Sequence, residues 1–191
     1  MKKILLLLAM FIPATAWAEG WALIAAESDI NFVSVKKEKV AEVHHFTGLS
    51  GSVEGDRASI SIDLASIESG IDIRNERMKS MLFDVATFAA ASITADLAAI
   101  DFKLLKAGEA LSTTLPLTLD LHGVSKKLSA RVQVAALAGG RLLVTSREPV
   151  IIQASDFELD GGIEALREVA KLPGIAQAVP VSFHLQFIRV K

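Results

Sequence analysis

Along most of the chain, apolar side chains occupy every second position. "LPLTLDL" sets Leu115, Leu117, Leu119 and Leu121 on one face and Pro116, Thr118 and Asp120 on the other. "VSFHLQFIR" does the same, with Val181, Phe183, Leu185 and Phe187 opposite Ser182, His184 and Gln186. The period of two continues in "SISIDLASI" (Ile60, Ile62, Leu64), "SITADL" (Ile93, Ala95, Leu97) and "LSARVQV" (Leu128, Ala130, Val132, Val134). Such alternation gives each strand one dry and one wet face, which marks antiparallel strands rather than the doubly buried strands of a parallel sheet. Gly55-Asp56, Ala107-Gly108, His122-Gly123 and Gly139-Gly140 fall between the runs and tolerate the positive backbone angles that hairpins need. Roughly eight or nine strands in this pattern predict an all-β sandwich or an up-and-down antiparallel barrel.

Two segments break the rule. In "NERMKSMLFDV", Met78, Met81, Leu82 and Val85 stand at helical spacing, and in "IEALREVA" so do Ile163, Leu166 and Val169 or Ala170. Each predicts a short amphipathic helix. Asn75 is suited to cap the first one by accepting the amide of Arg77 or Met78. Arg77 and Lys79 would then sit in the first turn, where the helix dipole opposes positive charge by ~0.3–1 kcal/mol each. Their presence calls for a partner outside the helix: acidic neighbours such as Asp72 and Glu76 in the first place, a bound anion in the second.

The N-terminus changes the setting. "MKKILLLLAMFIPATAWA" carries two lysines, an apolar run from Ile4 to Ile12, and Ala16 and Ala18 around Trp17. This pattern predicts a signal peptide over residues 1–18, cleaved to leave a single domain over 19–191. The run is too short for an uncleaved anchor, which needs about 20 apolar residues. The expected location is the periplasm, with no membrane span in the mature chain. The chain has no cysteine, which removes disulfides and thiolate chemistry. A net charge of -2 argues against a nucleic-acid partner. Hydrophobic residues make up 51% of the chain, more than an ordinary soluble surface accounts for, so the excess is either buried or bound to something.

Candidate chemistry is sparse. His44 and His45 are adjacent, so in a strand they leave on opposite faces and cannot share a metal. His122 precedes a turn glycine and His184 lies on the polar side of its strand. No metal-ligand spacing links them, and they read as structural or solvated histidines. "GLSGS" at 48–52 lacks one residue of a G-x-S-x-G elbow. Asp156 and Glu158 would share a strand face, a pairing that chance supplies among 22 acids. No catalytic residue, metal site or cofactor site is therefore expected, and the protein is not expected to be an enzyme. The dry face of a closed sheet is what remains: Phe32, Phe46, Ile62, Phe102, Leu117, Leu119, Phe157, Phe183 and Leu185 would line an interior, either packed solid or hollow around a ligand.

Six blocks, in order, resemble the YceI-like family: "SDINFVSVK", "HHFTGLSGSV", "IDLASIESGIDIRNERMKSMLFDVATFAAASITADL", "LPLTLDLHGVSKKLSARVQV", "ASDFELDG" and "VPVSFHLQFIRVK". The most specific stretch runs from Ile62 to Phe88, and Leu121 to Lys127 matches the family's L-x-G-V-[ST]-[KR] turn. The chain departs from the commonest pattern at Asn75, at Ser155 to Glu158, and at His44-His45. The resemblance implies an extended, lipocalin-like barrel of about eight antiparallel strands with one or two short helices. It implies a bound isoprenoid-type lipid, a polyprenyl chain or quinone, held in an exported binding or carrier protein. Met78, Leu82 and Phe83 would help close the barrel, and Arg74 and Arg77 would reach the ligand's polar head. The expected partners are thus a hydrophobic small molecule and, at most, a second copy in a homodimer. The main alternative is a filled barrel whose outer surface docks a partner; a hydrolase, requiring His44 or His122 beside an acid and a serine, comes third.

Overall fold

The computed structural model describes residues 20–190, so the expected signal peptide lies outside the described residues. Twelve strands form one antiparallel sheet: β1 (Gly20–Leu23), β2 (Asp29–Lys36), β3 (Val40–Phe46), β4 (Leu49–Glu54), β5 (Arg57–Asp63), β6 (Ile67–Glu68), β7 (Ala90–Asp96), β8 (Ala110–Leu121), β9 (Val124–Leu137), β10 (Arg141–Ser146), β11 (Val150–Gln153) and β12 (Ala178–Val190). Eight of them close a ring in the order β1-β4-β5-β7-β8-β9-β10-β12, with β12 pairing back to β1. This is the closed antiparallel barrel that the alternation and the resemblance predict. The predicted turns hold the hairpins: His122 and Gly123 both have positive φ, 52° and 78°, in the two-residue link between Leu121 and its partner Val124.

The remaining four strands build an upper storey. β12 pairs β1 and β10 along its C-terminal half, then β2 and β11 along its N-terminal half. β1 and β2 therefore act as one wall strand with a break, as do β10 and β11. A serine mends the ladder at each break. Ser28 Oγ accepts the Gln186 amide at 3.0 Å and donates to the Ile24 carbonyl at 2.8 Å. Ser146 Oγ accepts the Phe183 amide at 3.1 Å. A wall whose backbone groups would otherwise be orphaned is thus allowed to bend.

Above the breaks the sheet runs β11-β12-β2-β3-β6 and stays open, since β6 has two residues. Two helices cover the gap: α1 (Asp72–Arg77), which continues into a π-helical turn over Met78–Leu82, and α2 (Asp160–Val169). They meet at Gly162, where a Cβ would stand 2.6 Å from the Met81 carbonyl oxygen and 2.8 Å from Leu82 Cα. Only a glycine permits that approach. No helix among the described residues is long and apolar enough to cross a membrane.

The first helix begins earlier than its apolar spacing suggests, which overturns the cap assigned to Asn75. The helix starts at Asp72, and Asn75 is a buried interior residue whose side chain reaches back to the preceding strand. Its Oδ1 accepts the Ser69 amide at 2.9 Å and the Ser69 hydroxyl at 2.6 Å, and its Nδ2 donates to Glu68 at 3.1 Å. Asn75 therefore fastens α1 to β6, a tertiary role that propensity does not encode. Arg74 and Arg77 consequently fall in the last turn of α1, where the dipole favours them. Replacing Asn75 with Ala should destabilise the fold by about 1–3 kcal/mol in chemical denaturation, since the half-buried Ser69 and Glu68 lose their bonds to it.

Candidate functional site

The inward face of the barrel is not packed solid. A cavity of about 150 Å³ occupies the upper storey, with a wall that is apolar throughout and includes Phe32, Phe46, Ile62, Leu82, Phe83, Leu119 and Ile163. A second, of about 120 Å³, lies in the ring below, lined among others by Phe102, Leu115, Ala130, Leu185 and Phe187. Ile30, Ile93, Leu117, Val181 and Phe183 face both, so they form a waist between two chambers in line. Along β8, Leu121 and Leu119 face the upper chamber, Leu117 the waist and Leu115 the lower chamber, a run of ~20 Å at about 3.3 Å per residue. Trp21 and Phe102 meet edge to face beside the lower chamber, with ring centroids 5.4 Å apart.

At its other end the upper chamber leads to a third cavity of about 320 Å³, and Phe32, Leu82, Ile163 and Val179 are common to both. This one is mixed. Met78, Leu166, Val169, Leu172 and Ile175 give it apolar sides, while Lys36, Glu42, His44, Arg74 and Arg77 bring charge and polarity. The segment after α2 is strapped to the end of β2 by the Lys37 amide on the Gly174 carbonyl, 3.0 Å, and the Ala176 amide on Val35, 2.8 Å. That strap sets the outer wall of the mouth.

Of the sequence-predicted residues, Phe157 alone faces none of these spaces. β11 ends at Gln153 and the chain enters a tight turn over Ala154–Phe157, followed by Glu158 at φ 57°. The alternation is lost there. Phe157 is 1% exposed and packs with Leu119, Ala154, Leu159 and Ile163, supporting the upper wall from behind. Asp156 and Glu158 do not share a strand face for the same reason. The arginines divide as well. Arg74 donates from all three guanidinium nitrogens, to Glu42 and Ser69, and so acts as a clamp between α1 and β3. Arg77 lines the mouth without an ion pair among the described residues.

The sequence analysis reads His44 as a structural or solvated histidine and does not place it on the lining. It is 2% exposed, its ring lies edge-on to Phe32 at 5.3 Å, and its Nδ1 has no hydrogen-bond partner. The signal was present in its register: His44 is two residues from Phe46 and two from Glu42, on the inward face of β3. Ser34, Glu42 and His44 line the same mouth, yet they form no relay. Glu42 Oε2 is held by Lys36 Nζ and Arg74 Nη1, both at 2.7 Å, and His44 Nδ1 reaches neither an acid nor a hydroxyl. A nucleophile activated by a base requires those links.

The comparisons with known proteins agree with this architecture. The model of the YceI-like domain matches residues 21–187. The chain belongs to the YceI-like domain family. A polyisoprenoid binding domain from Saccharophagus degradans is 39% identical and superposes with a TM-score of 0.85, covering 88% of this chain and 97% of that one. BcnA of Burkholderia cenocepacia, 22% identical, shares the fold with a TM-score of 0.65 over 86% of this chain and 98% of its own. A YCEI protein of Campylobacter jejuni does so at 15% identity and a TM-score of 0.57, over 78% and 84% of the two chains. No curated protein matches the chain.

Burial, and secondarily the positive charge of Arg74, hold the His44 imidazole below its ordinary value of 6.5 in this YceI-like domain. Between the folded and unfolded values the unfolded chain binds the extra proton, so stability falls as pH drops below about 6.5 and levels once folded His44 itself titrates. Glu42 is held low, first by its hydrogen bond from Lys36, so its contribution is lost only at more acidic pH, below 4.5. His44→Gln should flatten the slope of stability against pH between about 7 and 5 relative to the native chain, measured by urea denaturation across that range.

Proposed function

We propose that this YceI-like domain is a carrier that holds one long isoprenoid-type lipid, a polyprenyl chain or an isoprenoid quinone, with its tail through both apolar chambers and its polar end in the mouth. The observation that supports the reading is the arrangement in series: two dry chambers end to end, a waist between them, and polarity at one end only. A slender branched chain suits such a space. Holding chambers of about 150 and 120 Å³ empty would cost on the order of 6 kcal/mol at roughly 24 cal/mol per Å³. A lipid tail removes that cost and adds about 0.8 kcal/mol for each methylene buried.

The polyisoprenoid binding domain of Saccharophagus degradans, at 39% identity, supports the same ligand class. Carriage rather than catalysis is supported by the engaged state of Glu42 and the missing links around His44. The N-terminal lysines, short apolar run and Ala-x-Ala site support export to the periplasm, where a lipid shielded inside a barrel can cross water.

Native mass spectrometry of protein purified from the periplasm without detergent, followed by organic extraction, tests the reading. The expected result is a stoichiometric adduct with an isoprenoid mass and a melting temperature that falls when the lipid is extracted. Protein that is bare and takes up neither added quinone nor polyprenyl lipid would overturn it. Leu117→Trp, which fills the waist, should weaken binding of a long-tailed lipid by about tenfold or more while the fold is retained.

A further inference from the structure

We propose that the rim of the mouth is a docking face for an anionic phospholipid bilayer. The inference rests on the carrier reading above and names the surface from which the lipid is loaded. A tail that crosses water between bilayer and barrel exposes every methylene on the way, so the opening has to meet the bilayer directly.

Apolar residues stand exposed on three sides of that opening. Val40 lies directly opposite Lys36 and two residues from Glu42, both of which line the mouth. Ile73 is one turn before Arg77 on α1, a spacing that puts the two on one face. Val169, at the end of α2, lines the mouth itself. At 37%, 59% and 41% exposure, Val40, Ile73 and Val169 leave apolar surface in water at the edge of a cavity.

Lysines stand between them. The turn from β2 to β3 carries Lys37 and Lys39, both exposed, and Lys171 follows the C-cap of α2. The Lys37 amide on the Gly174 carbonyl, at 3.0 Å, holds that turn against the segment after Lys171. Lys37 and Lys171 have φ of 53° and 52°. Left-handed backbone favours glycine, above all just past a helix C-cap, yet both positions carry a long cation. Lys37, Lys39 and Lys171 have no ion pair among the described residues, and neither do the nearby acids Glu38 and Asp72. Glu42 is held by Lys36 and Arg74, Glu76 by Lys79, and Glu164 and Glu168 by Arg167. With Arg77 added, the rim is basic on balance.

Apolar tips among lysines suit an anionic bilayer: the tips enter between the head groups, and the lysine stems keep their ammonium groups at the phosphates. An acidic protein could answer the lysines too, but only a bilayer is continuous with the lipid that the cavity holds.

The test is flotation of the delipidated protein with vesicles of phosphatidylcholine, alone or mixed in equal parts with phosphatidylglycerol, at low salt. The mixed vesicles are expected to bind at least about tenfold more tightly, an advantage that high salt removes. Reversing the lysines together, Lys37→Glu, Lys39→Glu and Lys171→Glu, should weaken that binding about tenfold or more, and the pair Val40→Ser and Ile73→Ser several-fold. Leu104→Ser with Ile188→Ser, exposed residues at the far end of the barrel, should change nothing. None of these side chains lines the chambers or the mouth, so affinity for dissolved geranylgeraniol, measured by calorimetric titration, should hold in every variant. Binding that ignores phosphatidylglycerol, or that survives the lysine reversal, would overturn the docking face. So would uptake of geranylgeraniol with no binding to either vesicle, a result that leaves the carrier reading intact and points to a protein donor. Vesicle binding that is lost with the lysines, in a protein that takes up no geranylgeraniol, would support the docking face and remove the carrier reading.

Discussion

The rest of the structure depends on β12, the strand that takes two backbone partners on each of its edges. It is the strand to which β1 and β10 pair below and β2 and β11 above. Closure of the ring is therefore decided at one strand, and so is the orientation of the upper storey. The two breaks beside it, mended by Ser28 and Ser146, let the neighbouring strands change direction without leaving amides unpaired. A fully regular barrel of eight strands has room inside mainly for its own side chains. Above the breaks the sheet no longer closes, and the helices then become necessary as a cover.

The cover and the mouth are one construction. α1 and α2 touch backbone to backbone at Gly162, and the same helices carry Arg77 and Met78 on one side of the mouth and Leu166 and Val169 on the other. Arg74, clamped to Glu42 on β3, fixes the helical layer to the sheet. Charge in this region therefore has two separate duties: Arg74 and Lys36 hold structure, while Arg77 faces the cavity. Sequence position alone makes these three cations look equivalent.

The strands were legible because a period of two survives whatever the tertiary details. Leu115 to Leu121 and Val181 to Phe187 face inward as their alternation requires, and the waist at Leu117 and Phe183 lies on those runs. Where a segment is short and its partners distant, local pattern misleads. Asn75 looked like a cap because its preference for caps is real, but hydrogen bonds to Glu68 and Ser69 decided its place. Phe157 follows the end of a strand, and one tight turn was enough to take it off the lining. His44 was read as structural rather than as part of the lining for a different reason: the polar members of a lining look like noise until the opposite walls are known. The α2 side of the mouth, from Ile163 through Ile175, comes from residues whose meeting with β2 and β3 no period announces.

The waist has a kinetic consequence. A chain held as proposed, through two chambers that share Leu117 and Phe183, enters and leaves lengthwise. On the carrier reading proposed above, each further unit of tail held beyond Leu117 and Phe183 must be withdrawn before the ligand leaves, so residence time should grow with tail length. A carrier of the proposed kind would discriminate among lipids by how long it keeps them.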